Sequence, residues 1–280
     1  LEKKIKKYKP LVVMPVHMGG VSYDHLKIKK LSKKYNFKII EDGAHSFGAS
    51  YDEKSKIGSC KYSDMTVFSF HPIKTITTGE GGIITTNNKI YYKKLLRLRS
   101  HGINKLDDKP LIKKQGYTGK KINSWYYEMR ELGYHYRLTD IQAALGISQL
   151  DKLKRILKRR SEIFKLYDDE FKNIPMKICQ IEKRKYSSYH LYIIWLDFKS
   201  MKTTRQNFLD YLNKNKIFPQ VHYLPLFMHP FYRNLGQYNF KSFPNSLKYY
   251  SGCISLPCFL SLKTNEQKFV IKKIKEFIKH

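Results

Sequence analysis

Acidic side chains are scarce in this chain. Only 23 Asp and Glu oppose 54 Lys and Arg among 280 residues, which leaves a formal charge of +31. Arginine is scarce too, since ten of the 54 cations are arginine and the other 44 are lysine. A strong positive charge invites a nucleic-acid reading, because clustered cations release counterions from phosphate backbones. Here the lysines are spread along the chain, as at Lys3, Lys54, Lys113, Lys172, Lys241 and Lys279, with no single block. Direct base readout favours the planar arginine fork, and no zinc-finger, RNA-recognition or helix-turn-helix signature is present. The charge therefore reads as a lysine-rich solvated surface. A basic nucleic-acid-binding protein is the lesser alternative.

Long apolar runs are also missing. No uncharged stretch reaches the ~18 residues that a membrane helix needs. Residues 1–10 lead straight into residues 11–16, without the basic region and apolar core of a secretory signal. The expected location is the cytoplasm, with no membrane partner. Cys60, Cys179, Cys253 and Cys258 form no CxxC pair and have no accompanying His spacing, which fits neither a disulfide framework nor a zinc site. No metal is expected. Disorder is excluded by a composition of 41% hydrophobic and 14% aromatic residues. The length suits one α/β unit with a smaller appendage.

What is present is an alternation of apolar runs and amphipathic stretches. Residues 11–16 read as a buried strand, and residues 24–35 as a helix with Leu26, Ile28 and Leu31 inward. Residues 37–40 form a second strand running into Glu41-Asp42. Residues 65–70 and 82–86 are further strands, and residues 89–99 a basic helix. This order predicts an α/β fold with a mostly parallel sheet. Functional residues in such sheets sit at the carboxyl edge, where Asp42 and Ser69 fall. Residues 104–136 lose the alternation and gain Tyr117, Trp125, Tyr126, Tyr127, Tyr134 and Tyr136, so a structureless functional or interface loop is expected. Thr139-Asp140-Ile141-Gln142 reads as a capping box opening one long helix through Leu150, Leu153, Leu157, Phe164, Tyr167 and Phe171. That helix would join a large domain, residues 1–150, to a small C-terminal α+β domain, residues 151–280. The small domain has strands expected over residues 190–198, 217–221 and 254–256, a helix over 208–215, and a last helix ending at Lys279.

The most informative stretch holds Glu41-Asp42-Gly43-Ala44-His45-Ser46-Phe47-Gly48-Ala49, Ser69-Phe70-His71-Pro72-Ile73-Lys74 and Thr77-Thr78-Gly79-Glu80-Gly81-Gly82. A carboxylate ending a buried strand can pair with a cationic ring nitrogen. A lysine on a turn after the next strand can reach the same pocket, and Ser69 with nearby N–H groups can hold a phosphate. Those are the parts of a pyridoxal phosphate site. Each part alone has a plainer reading: a turn aspartate, one surface lysine among 44, a packed core histidine at position 45. The glycine run is not a P-loop, because no Gly-Lys-Ser/Thr follows.

Together with Ser100-His101-Gly102, residues 133–150, residues 220–225 and residues 255–258, these motifs resemble the DegT/StrS-type nucleotide-sugar aminotransferases of the fold type I pyridoxal phosphate enzymes. Residues 100–102, 146–150, 188–192, 220–223 and 256–258 are similar more narrowly to the branch serving pseudaminic acid biosynthesis, which aminates a UDP-linked 4-keto-6-deoxy-N-acetyl sugar. The resemblance implies pyridoxal 5'-phosphate as cofactor. Lys74 would hold it covalently and shuttle a proton, and Asp42 would keep its ring nitrogen protonated. His45 would lie near the phenolic oxygen, and Ser69 would bind the phosphate. His135 stands where the family carries an asparagine that reaches the phosphate across a dimer interface. His101, Arg137 and Tyr223 would make substrate or interface contacts. Implied partners are a nucleotide sugar, an amino-acid donor (glutamate in the family) and a second copy sharing the active sites. Lysine at position 74 favours amino transfer over the dehydration of a branch that carries histidine there. The resemblance also implies that Leu1 falls inside the large domain and that an N-terminal strand–helix unit is missing, so a catalytically inactive fragment is the further alternative.

Overall fold

A computed structural model describes residues 1–104, 109–179, 181–236 and 242–279. The chain begins with α1 (Glu2–Tyr8), β1 (Val12–Val13), α2 (His25–Tyr35), β2 (Lys38–Asp42), β3 (Met65–Ser69) and β4 (Gly82–Thr85). The Asp24 carboxylate caps α2 by accepting from the Lys27 N–H, and Asn36 ends it in the left-handed conformation. β1, β2 and β3 pair in parallel, and β4 returns antiparallel to β3. The expected parallel sheet is thus present, with one reversed edge strand. Register sets Asp42 opposite Val67 and Ser69 opposite Gly82, so both residues close their strands at one end of the sheet. The strand expected over residues 11–16 shrinks to β1 and a single bridge from Val16 to Asp42. Pro15 lies between them and has no N–H for the ladder.

The segment expected to lack structure is folded in its described parts; residues 105–108 lie outside them. After α3 (Lys89–Leu98), β5 (Ile103–Asn104) pairs with β8 (Glu128–Met129). Between them α4 (Lys113–Gly116) precedes a hairpin of β6 (Tyr117–Thr118) and β7 (Lys121–Ile122). One carboxylate gathers this loop. Glu128 accepts from the Leu111 N–H at 2.8 Å, the Tyr126 hydroxyl at 2.8 Å and the Arg130 guanidinium at 2.7 Å. Such order leaves no periodic trace in a sequence.

The single long helix is in fact two, α5 (Asp140–Asp151) and α6 (Leu153–Phe171), meeting at Lys152. The capping box is present, with the Thr139 hydroxyl accepting from Gln142 N–H and the Thr139 N–H donating to the Gln142 side chain. The two helices differ in environment. α5 leaves Ile141, Leu145, Ile147 and Leu150 exposed, whereas α6 buries Ile156, Ile163, Phe164, Tyr167 and Phe171.

The remainder contains β9 (Lys177–Ile178), β10 (Tyr192–Trp195), α7 (Arg205–Lys214), α8 (Pro230–Asn234), α9 (Pro244–Gly252), β11 (Cys253–Leu256) and α10 (Thr264–Lys279). β10 sits between β11 and β9 in an antiparallel sheet. The strand expected over residues 217–221 is reduced to a bridge between Gln220 and Ser255, because Pro219 again interrupts the ladder. Tyr167, Tyr192, Phe208, Leu212, Ile254 and Ile274 fill the core between this sheet and α6, α7 and α10. A second core holds Ala49, Tyr51, Phe68, Phe70 and Ile76, and the first turns of α6 complete it with Leu153 and Ile156. No helix among the described residues is long and apolar enough to cross a membrane.

β2 alternates, as a half-buried strand should, and at its end the alternation buries a charge. Glu41 is wholly buried on the face of Ile39. Its carboxylate accepts from the hydroxyls of Tyr23 at 2.7 Å, Tyr51 at 2.5 Å, Ser63 at 2.9 Å and Thr66 at 2.6 Å, and His17 Nε2 stands 3.4 Å away. Burial alone raises a carboxyl pKa; the donors overcome it and hold Glu41 down to about 2. The folded pKa lies below the unfolded one, so the stabilisation is complete above about pH 4.5 and is lost as pH falls toward 2. Glu41→Gln is expected to cost about 3 kcal/mol at neutral pH. In urea titrations at a series of pH values it should also flatten the loss of stability below about pH 4.5.

Candidate active site

The end of β2 is shaped by a glycine. A Cβ on Gly43 would lie 2.8 Å from the Phe68 ring and 2.9 Å from the Val67 carbonyl, so only glycine lets the chain turn there. The turn is pinned by the Gly43 N–H donating to Val67 O at 2.8 Å. Within it the Ala44 N–H donates to Asp42 Oδ1 at 3.0 Å, which sets the carboxylate on the face opposite Glu41.

The end of β3 leads into the turn that carries Lys74. The His71 N–H donates to Ser69 Oγ at 3.3 Å, and the Lys74 N–H donates to His71 O at 2.9 Å. The turn is closed at its base by Phe70 N–H to Gly81 O and by Thr78 N–H to Phe70 O. Lys74 is half-buried and faces a cavity of about 500 Å³ that is also lined by Gln149, His190, His222 and Tyr223. Burial pushes its ammonium pKa below the ordinary lysine value, and the Asp42 charge opposes that fall. Among the described residues that line the cavity there is no Asp or Glu.

Three elements meet behind Lys74. His45 is buried, with Nδ1 accepting from the Gly19 N–H at 3.3 Å and Nε2 lying 3.0 Å from the Tyr223 hydroxyl. Its carbonyl accepts from Ser188 Oγ at 2.6 Å. Gly20 permits this junction, because at φ +93° a Cβ would approach Ser188 Oγ to 2.2 Å. The His45 ring packs on His190 at 4.6 Å, and His222 Nδ1 lies 2.8 Å from Ser255 Oγ. Burial, then the charges of Lys74 and His222, bring the His45 pKa to about 3. His190 and His222 are lowered too, in both cases chiefly by burial.

Of the residues singled out in the sequence, Lys74 and Tyr223 share one cavity and His45 contacts Tyr223. Asp42 acts electrostatically on both Lys74 and Tyr223, and Ser69 ends the strand before the Lys74 turn. His101, His135 and Arg137 form a separate, exposed group that does not line this cavity. Ser100 bridges His135, the rings of His101 and His135 are 5.1 Å apart, and Arg137 Nη2 donates to His135 Nε2 at 2.9 Å. His190 and His222 were not singled out in the sequence. The available signal was a pair of serines and a histidine, Ser187, Ser188 and His190, placed just before the apolar strand β10.

The sequence model of the DegT/DnrJ/EryC1/StrS aminotransferase family matches residues 1–275. A UDP-4-amino-4,6-dideoxy-N-acetyl-beta-L-altrosamine transaminase of Campylobacter jejuni is 39% identical over 257 residues, covering 91% of this chain. The chain spans only 62% of that relative's length. The structure of Helicobacter pylori PseC, an aminotransferase of pseudaminic acid biosynthesis, superposes with a TM-score of 0.85 at 29% identity, covering 100% of this chain and 70% of PseC. Streptococcus pneumoniae Spr1654, a candidate sugar aminotransferase solved in PLP and PMP forms, gives TM-scores of 0.80 and 0.81 at 28% identity, with 96% of this chain and 68% or 69% of that one covered.

The neutral histidines have a measurable consequence. An unfolded histidine takes up a proton near pH 6.5, whereas His45 stays neutral to about 3. The unfolded state therefore binds more protons in that window, and stability falls as pH drops below about 6.5. His45→Gln is expected to remove about 2 kcal/mol of the stability loss between about pH 7.5 and about pH 5, measured by urea unfolding at both values.

Proposed function

Since this chain belongs to the DegT/DnrJ/EryC1/StrS aminotransferase family, we propose that it transfers an amino group from an amino acid, glutamate, to the keto group of a nucleotide-linked deoxy sugar. The reading includes pyridoxal 5'-phosphate as cofactor, a role in bacterial surface-glycan synthesis and a cytoplasmic location. The names of the Campylobacter and Helicobacter relatives support a UDP-linked sugar of the pseudaminic acid type as substrate.

One observation carries the reading. Lys74, in the field of Asp42, is shifted by burial toward its neutral, nucleophilic amine at the wall of a cavity of about 500 Å³. The residues fit pyridoxal phosphate: an amine for covalent attachment, a strand-end carboxylate for the ring nitrogen and, among the described residues, a lining free of acids that would repel a phosphate. When bound there, the cofactor supplies the electron sink that allows a C–H bond beside the nitrogen to break. Asp42 would then keep a proton on the ring nitrogen, and Lys74 Nζ would take and return the proton at the substrate carbon. Ser69 Oγ offers a hydroxyl to the phosphate. Residues 1–150 would supply these groups, and residues 151–280 would close the cavity through His190, His222 and Tyr223.

A homodimer is part of the proposal. Trp125, Tyr127, Leu132, Tyr136, Ile141 and Ile147 are all exposed, and contact with a second copy would remove such side chains from water. The exposed group of His101, His135 and Arg137 lies in the same stretch of chain and would serve the partner's site.

Borohydride reduction of the cofactor-loaded chain, followed by peptide mapping, is expected to label Lys74. Lys74→Ala should abolish the label and lower turnover by about 10²–10⁴-fold or more. Label on another lysine, or none, would sink the proposal.

A further inference from the structure

His45 and Tyr223 share a hydrogen bond whose direction the surrounding atoms fix. The Gly19 backbone N–H can only donate, and it points at His45 Nδ1 from 3.3 Å. Nδ1 therefore carries the lone pair. Burial and the neighbouring charges keep the ring neutral at working pH, and a neutral imidazole with a bare Nδ1 has its proton on Nε2. That proton lies on the atom 3.0 Å from the Tyr223 hydroxyl oxygen. The Tyr223 oxygen is thus an acceptor toward His45, and its own proton must point elsewhere. Tyr223 lines the Lys74 cavity, and the His45 ring closes off the direction behind it.

From this one-way chain, Gly19 N–H to His45 and His45 Nε2–H to Tyr223, we infer that Tyr223 is a dedicated hydrogen-bond donor into the Lys74 cavity and His45 the positioning residue that aims it. The group it serves is an acceptor oxygen beside Lys74. Within the aminotransferase reading, on which this assignment of the acceptor rests, two oxygens qualify: the cofactor's phenolic oxygen and the keto oxygen of the sugar. Burial and the Asp42 charge both raise the Tyr223 pKa, so the hydroxyl keeps its proton and acts as donor, not base. The arrangement gives His45 a role without proton transfer. A charged His45 would lose its bond from Gly19 and repel the Lys74 ammonium.

Two measurements test the proposal. The first needs neither cofactor nor activity. Long-range proton–nitrogen NMR spectra of the histidine-labelled chain, from about pH 6 to about pH 8, should show His45 as the neutral Nε2–H tautomer. An Nδ1–H tautomer or an imidazolium there would overturn the inference. The second compares Tyr223→Phe with wild type after cofactor loading. If the acceptor is the cofactor oxygen, the visible absorption of the bound cofactor should shift its pH midpoint before any substrate is added. If it is the keto oxygen, the half-reaction with the keto sugar should slow about 10- to 100-fold while the half-reaction with glutamate changes less than about twofold. No spectral shift together with equal or absent effects on both half-reactions would overturn it. His45→Gln, which keeps an N–H donor near the Nε2 position, should retain most of the wild-type behaviour, whereas His45→Leu should resemble Tyr223→Phe. A wild-type chain inert in both half-reactions would remove the aminotransferase reading, and the tautomer spectrum would then decide the direction of the bond by itself.

Discussion

A buried carboxylate with four hydroxyl donors holds the candidate site in place. Glu41 cannot leave the interior without breaking bonds to Tyr23, Tyr51, Ser63 and Thr66, which come from three separate stretches of chain. A desolvated anion is costly unless every lone pair is met, and here the donors are numerous enough to hold it ionised. The strand end is therefore fixed in register and in direction. Because side chains alternate along a strand, fixing Glu41 inward fixes Asp42 outward, toward Lys74. The Gly43 turn follows from the same constraint, since the chain must leave the strand under the Phe68 ring.

The electrostatics of the cavity follow a consistent logic. His45, His190 and His222 are each driven toward the neutral form by burial, which leaves Arg160 as the permanent cation beside Lys74 among the described residues that line the cavity. Lys74 is itself lowered, which increases its fraction of neutral amine at a given pH. The opening charge of +31 enters only at longer range. A basic surface raises the local concentration of a polyanion such as a nucleotide sugar without specifying it. Recognition near the reacting atoms must come from directed donors, and the Tyr223 hydroxyl is one.

Much of this was legible in the sequence, for physical reasons. Strand–helix alternation reports burial on two faces, and so the parallel sheet followed from periodicity and the capped start of α5 from its capping residues. Strand-end residues such as Asp42 and Ser69 could be placed because the sheet's carboxyl edge is a property of topology. The misplaced elements share a different cause. Pro15 and Pro219 each stopped a ladder that apolar runs suggested, and a change of environment at Lys152 divided a helix that spacing alone made continuous. The Glu41 and Glu128 networks were not legible at all. Each depends on hydroxyls or amides brought together from distant positions, and no local pattern marks them. The same applies to His190 and His222, whose place beside Lys74 is set by the packing of the second sheet.

Exposed apolar residues and contacts to the Lys74 loop occur on one helix, which bears on how assembly would affect chemistry. α5 carries Ile141 and Ile147 outward, yet its first turn holds the Lys74 region from behind, with Gln142 Nε2 donating to Glu80 O at 3.0 Å. Gly146 on the same helix sits where a Cβ would press Thr78 at 2.9 Å, so α5 packs directly on the glycine turn that closes the Lys74 loop. Burying the exposed face of α5 against a second copy would restrict that helix, and through Glu80 and Thr78 the Lys74 turn with it. A coupling of this kind would need no long-range pathway, since one helix carries the exposed apolar residues and also contacts the Lys74 loop. The same helix begins three residues after Arg137, which lies with His101 and His135 in an exposed group. Assembly through this face would therefore bring the exposed histidine–arginine group and the fixed Lys74 turn under a single constraint.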